Sequence, residues 1–111
     1  AANTYQPTAV PGGRAPHAWL DDGRSLYDSF NFEWTLLALG PDAPDASPFA
    51  RTAEALGVDL QIVRHASPEL GRLYEAPLAL VRPDQVVAWR GRDAGTADAV
   101  LLQVTGRTET R

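Results

Sequence analysis

The run Trp34-Thr35-Leu36-Leu37-Ala38-Leu39, stopped by Gly40-Pro41, constrains this chain more than any other stretch. Six residues are short for a helix, and a nearly unbroken apolar sequence leaves no face for water, so the run reads as a strand buried on both sides. Such a strand needs partners in its sheet and a layer over each face, and the rest of the chain has to supply them.

The flanking segments supply them in a recognisable order. Residues 1–13 hold two prolines and the pair Gly12-Gly13 without periodicity, as an extended arm or linker does. Ser25 can cap a short helix that places Leu26 and Phe30 on one face. After the first strand, residues 41–47 form a Pro/Asp/Ala loop. Ser47 and Pro48 then stand at the cap and first-turn positions of a helix with the apolar stripe Phe49, Ala53, Leu56, closed by Gly57. Residues 58–63 alternate Val58, Leu60, Ile62 against Asp59, Gln61, Val63 and read as a second strand. Ser67-Pro68 opens a shorter helix running through Tyr74.

Residues 78–81 and 86–89 are two apolar strands joined by Arg82-Pro83-Asp84-Gln85, in which Pro83 presets the turn. Pairing Val81 with Val86 would set Leu80 opposite Val87 and Leu78 opposite Trp89. A last helix, from about Thr96 to Thr105, carries Ala97, Val100, Leu101 and Val104 on one face and stops at Gly106. The expected fold is therefore α/β and thioredoxin-like: a βαβ unit plus a C-terminal β-hairpin and helix, around a central mixed sheet with helices on both faces. In that topology a proline precedes the hairpin's first strand, which makes Ala76-Pro77 a candidate cis bond by analogy.

With 111 residues, 44% of them hydrophobic, one core is expected. The division is an arm at 1–12, a domain at 13–106 and a tail at 107–111. Methionine is missing even at position 1, so a piece of a longer protein is expected. All 10 basic residues are arginines, scattered among 14 acidic ones, so there is no footprint for nucleic acid, and the bias suggests a GC-rich bacterial genome. No apolar run reaches the roughly 20 residues of a membrane span and no signal peptide is visible, so a cytoplasmic location is expected.

Cysteine is absent, which removes disulfides, thiolate nucleophiles and dithiol exchange at once. The loop 40–47 occupies the place where this topology would hold a dithiol, and Asp45 and Ser47 there are explained by helix capping. His17 and His65 are far apart and lack further ligands at metal spacing. His17 lies in the arm beside Arg14 and Trp19, where it can lock the arm by a hydrogen bond or contact a neighbouring domain. Arg82, Asp84 and Arg90 flank the hairpin, an ion pair at the turn is expected, and Trp89 and Arg90 point to opposite faces. Ser25, Ser29, Ser47 and Ser67 show no accompanying His and acid. No catalytic, cofactor-binding or metal residue is nominated.

The segments Pro11-Gly12-Gly13-Arg14-Ala15-Pro16-His17-Ala18-Trp19-Leu20 and Asp22-Gly23-Arg24-Ser25-Leu26-Tyr27-Asp28-Ser29-Phe30 resemble the motif that opens the C-terminal domain of FAD-dependent aromatic-ring hydroxylases of the phenol and polyketide type. A second signature, residues 80–90 from Leu80 to Arg90, follows in the same order. The chain departs at Phe30-Asn31-Phe32-Glu33, where many members continue Phe-Gly; Asn also tolerates a positive φ. The resemblance implies a parent enzyme using FAD and NAD(P)H to oxygenate an aromatic ring, with this domain as a redox-inactive module that docks on the flavin and substrate domains or joins two subunits. The residues themselves contain no G-x-G-x-x-G fingerprint after a strand. The other reading is a stand-alone thioredoxin-like adaptor that binds peptides beside Pro77.

Overall fold

The structure, a computed structural model, describes residues 10–30 and 33–106. The expected turn at Asn31 and most of the expected linker and tail lie outside them. A 3₁₀ turn, Leu26–Ser29, is followed by β1 (Trp34–Leu39), α1 (Ser47–Leu56), β2 (Leu60–His65), α2 (Pro68–Tyr74), β3 (Leu78–Val81), β4 (Val87–Gly91) and α3 (Ala97–Val104). The sheet runs β2-β1-β3-β4, with β1 parallel to β2 and β3 antiparallel to both its neighbours. This is a thioredoxin-like arrangement, and the apolar run that opened the reading is one of its two central strands.

The pleat of β1 divides the core. Leu36 and Ala38 point to one face, where Leu78 and Leu80 join Phe49 and Ala53 of α1 and Ala97, Val100 and Leu101 of α3. Leu37 and Leu39 point to the other, against Ala79, Val81, Val87, Leu70 and Tyr74 of α2, and Leu26. Thr52 donates a hydrogen bond to Asp98, tying α1 to α3. Thr35, a polar side chain buried in β1, is satisfied by Gln61 Nε2 at 2.9 Å.

The structure corrects several expectations. Ser47 is the first residue of α1 and not its cap: Ala46 holds that position, and the Ser47 N–H is taken by the Asp45 carboxylate at 3.1 Å. The second strand starts at Leu60, not Val58, because Gly57 at φ 73 turns the chain left-handed and the Val58 N–H is spent on the Ala53 carbonyl at 2.9 Å, closing α1. The hairpin register also differs. Gln85 adopts φ 69, so Pro83, Asp84 and Gln85 form a three-residue loop closed by the Arg82 N–H on the Val86 carbonyl at 2.8 Å. Val81 then faces Val87, and after a bulge Leu80 faces Trp89 and Leu78 faces Gly91. Finally, Ala76-Pro77 is trans: no cis bond occurs among the described residues. Glu75 makes the bend instead, at φ 61, while the Ala76 N–H closes α2 on Gly71 and the Pro77 carbonyl accepts from Leu39 N.

Candidate docking surface

The arm is part of the sheet. Gly12 N donates to Val87 O at 2.7 Å, Val87 N to Gly13 O at 2.8 Å and Ala15 N to Gln85 O at 2.8 Å, so a short antiparallel stretch covers the turn end of the β4 edge. Two tyrosines then fasten the next carbonyls. Tyr27 Oη donates to Ala15 O and Tyr74 Oη to Pro16 O, each at 2.7 Å. Tyr74 is fully buried, and burial pushes its hydroxyl well above the ordinary ionisation range. Neither tyrosine was singled out from the sequence, since a bond spanning 58 residues leaves no local pattern.

Arg14 points along the arm, donating to Gln85 Oε1 at 3.1 Å with its guanidinium 5.7 Å from the Tyr27 ring centre. His17 Nε2 lies 2.7 Å from Ser25 Oγ, which also caps the 3₁₀ turn by accepting from Tyr27 N. The imidazole thus fixes the arm to that turn and not to the sheet. It meets the Trp19 and Tyr27 rings edge-on, both at 4.9 Å. Trp19 itself is 71% exposed.

Beside Trp19 lies a cleft of about 250 Å³ lined by Leu20, Asp21, Asp22, His65 and Leu70 among others. His65 Nε2 is 3.1 Å from Ser29 Oγ, and partial burial holds the imidazole below its ordinary pKa despite the opposing charge of Asp22. The fold thus builds two Ser–His pairs that the sequence did not reveal. Among the described residues no carboxylate hydrogen-bonds either ring, so neither pair has the orienting acid of a triad. No group of three metal-ligating side chains occurs there either.

The hairpin residues part company across the sheet. Arg82 and Asp84 pair at 2.7 Å at the turn. Trp89 packs 5.2 Å from Phe49 on the α1 face, whereas Arg90 reaches the α2 face, donating to Tyr74 O at 3.2 Å with Glu75 at 3.7 Å. Around Pro77 no strand edge is open: β3 pairs on both sides, and the Ala76 N–H and Pro77 carbonyl are already used.

The helix N-termini also disfavour a phosphate. At α1, Asp45 accepts from Ser47 Oγ at 2.7 Å and Ser47 N at 3.1 Å, bonds that hold its carboxyl below the usual range. Pro48 has no N–H, and Phe49 N is taken by Ala46 O. At α2, Pro68 lacks the donor, Leu70 N bonds Ser67 O and Glu69 puts a carboxylate in the first turn; at α3, Ala97 N bonds Ala94 O and Asp98 does the same. A carboxylate at each helix N-terminus, with part of the donors used, does not fit a flavin pyrophosphate, which needs free N–H groups and no negative charge.

These features define a thioredoxin-like domain without thiols, built around a fastened arm. The family model "Aromatic-ring hydroxylase, C-terminal" matches residues 8–108, and the chain belongs to that family. It is 38% identical to the FAD-dependent monooxygenase opdD of Penicillium oxalicum, over 93% of this chain and 21% of that protein. It is 36% identical to the tetracenomycin B2 monooxygenase-dioxygenase of Streptomyces olivaceus, over 91% of this chain and 22% of that protein. Among solved structures, the rebeccamycin biosynthetic enzyme RebC with reduced flavin superposes with a TM-score of 0.85 at 36% identity, covering 97% of this chain and 21% of that one. The chain thus spans about a fifth of the length of the relatives it matches. No helix among the described residues is long and apolar enough to cross a membrane.

Proposed function

We propose that this chain is the C-terminal module of an FAD- and NAD(P)H-dependent monooxygenase acting on aromatic rings, and that its own work is structural: it docks on the flavin and substrate domains of the same polypeptide. One observation carries the second half of that reading. Each helix N-terminus, where a flavin pyrophosphate would sit, carries a carboxylate, Asp45, Glu69 or Asp98, and at α1 the Ser47 and Phe49 N–H groups are taken by Asp45 and Ala46. Flavin chemistry therefore falls to the preceding part of the parent, in the cytoplasm, without nucleic acid or membrane as partner. A contact between two copies of the parent is compatible with this role. An arm at 1–12, a domain at 13–106 and a tail at 107–111 belong to the same proposal; Gly12, at the end of the arm, pairs with Val87. The adaptor reading loses its proposed peptide edge at Pro77.

Reading the open frame upstream of Ala1 and assaying the encoded protein tests the proposal. The expected result is a flavin-binding fingerprint upstream, NAD(P)H-dependent oxygenation of an aromatic substrate, and FAD retained when residues 10–106 are deleted. An independent start codon directly before Ala1, or loss of the FAD site from the remaining polypeptide with its appearance in this one, would refute it.

A further inference from the structure

Among the described residues, the exposed large apolar side chains are Val10, at 49%, and Trp19, at 71%. Trp19 is not on a loose loop. Its backbone is bridged to Ser25, and the turn beyond it is closed by Leu20 N on Arg24 O at 2.8 Å and Gly23 N on Leu20 O at 2.9 Å. The Asp22 carboxylate stiffens that turn further by accepting from Arg24 N and Nε. An aromatic side chain on a fixed backbone has little freedom left to lose, which is the property of an interface anchor. Here it borders a cleft with Leu20 and Leu70 in its wall.

We infer that Trp19 and this cleft are the seat of a segment of the parent polypeptide that lies N-terminal to Ala1. That segment presents an apolar side chain to the cleft and a basic group to Asp21. This rests on the domain reading above and names the face by which the domain docks. Length favours this occupant: the relatives are about five times as long, and the family that matches is their C-terminal domain. Area favours it too. At 71% exposure Trp19 offers on the order of 180 Å², and no other exposed large apolar side chain lines this cleft, so its apolar surface alone is well short of the roughly 800 Å² per partner of a stable free interface. A tethered neighbour, held at about millimolar effective concentration, needs no such area. Charge points the same way, because Asp22 is engaged by Arg24 whereas Asp21 has no partner among the described residues.

Hydroxyl-radical footprinting, read by peptide mass spectrometry, compares the 111-residue chain with the full-length polypeptide that carries it. Oxidation of Trp19 is expected to fall roughly five- to tenfold in the longer protein, as an interface core residue's does. Trp34 and Trp89 should change by less than about twofold, and the fall should be the same at concentrations about a hundredfold apart. Protection of a different face with Trp19 still oxidised overturns the assignment of this face and leaves the domain reading standing. Protection of Trp19 only at the higher concentration identifies a second copy and overturns the same-chain occupant. No protected face anywhere overturns both the seat and the docking reading.

Discussion

Replacing Tyr74 with Phe isolates the bond that holds the arm to the core. The ring volume stays, so no cavity of consequence forms, and the only loss is the hydroxyl that donates 2.7 Å to Pro16 O. Both residues are buried, so no water replaces the lost donor and the carbonyl is left unpaired. That costs about 1–3 kcal/mol, or roughly 4–24 °C in Tm for a domain of this size. Tyr27→Phe removes the neighbouring bond to Ala15 O but from a half-buried ring, so a smaller loss of about 0.5–1.5 kcal/mol is expected. Because the two carbonyls are consecutive, the double variant should depart from additivity by at least about 0.5 kcal/mol. Urea denaturation followed by circular dichroism measures these values, and hydrogen exchange at the Ala15 amide, bonded to Gln85 O, reports the arm locally. Burial raises the folded-state pKa of Tyr74 above its ordinary 10.0, so its contribution is complete below pH 10 and is lost as pH rises beyond it; the Phe variant should lack that loss. A Tyr74→Phe cost under about 0.5 kcal/mol, with unchanged exchange at Ala15, would refute the claim that the arm belongs to the core.

Two further perturbations probe the sheet and the cleft. A Cβ added at Gly91 would run into the Trp89 ring, which is packed against Phe49, so Gly91→Ala should destabilise by about 1–3 kcal/mol in a thermal melt; an unchanged Tm contradicts that packing. His65 has a folded-state pKa lowered from 6.5 mainly by burial, so its contribution is complete above pH 6.5 and is lost as pH falls through the folded value. Denaturation midpoints should drop between pH 7 and pH 5, and His65→Gln, which can still bond Ser29, should flatten the slope. Persistence of the full slope in that variant would assign it elsewhere, although the carboxylates with lowered pKa values, Asp22, Asp45 and Glu69, act in a more acidic window.

The parts of the fold legible in the sequence are those written in local pattern. Trp34 to Leu39 declared a two-sided strand by composition, Ser67-Pro68 opened α2 where expected, and Ser25 caps the 3₁₀ turn as read. The hairpin register was not legible, because it depends on Gln85 entering a left-handed conformation that its side chain does not advertise and on a bulge beyond it. The arm failed for a related reason. Residues 12–15 have no periodicity, and what fastens them is the otherwise open edge at Val86 and Val87 and two hydroxyls from distant positions. The motif residues Arg14, His17 and Trp19 were found by resemblance, but the sequence could not say what each touches. All three are exposed: Arg14 and His17 hydrogen-bond Gln85 and Ser25, and Trp19 meets the His17 ring edge-on.

The central claim is that this domain carries no flavin site of its own, and titrating the 111-residue chain with FAD tests it most directly. Quenching of Trp fluorescence and the flavin visible spectrum should show no saturable binding up to about 100 μM FAD, because each helix N-terminus carries a carboxylate and the first donors of α1 are already taken. Stoichiometric binding with a perturbed flavin spectrum would contradict the account.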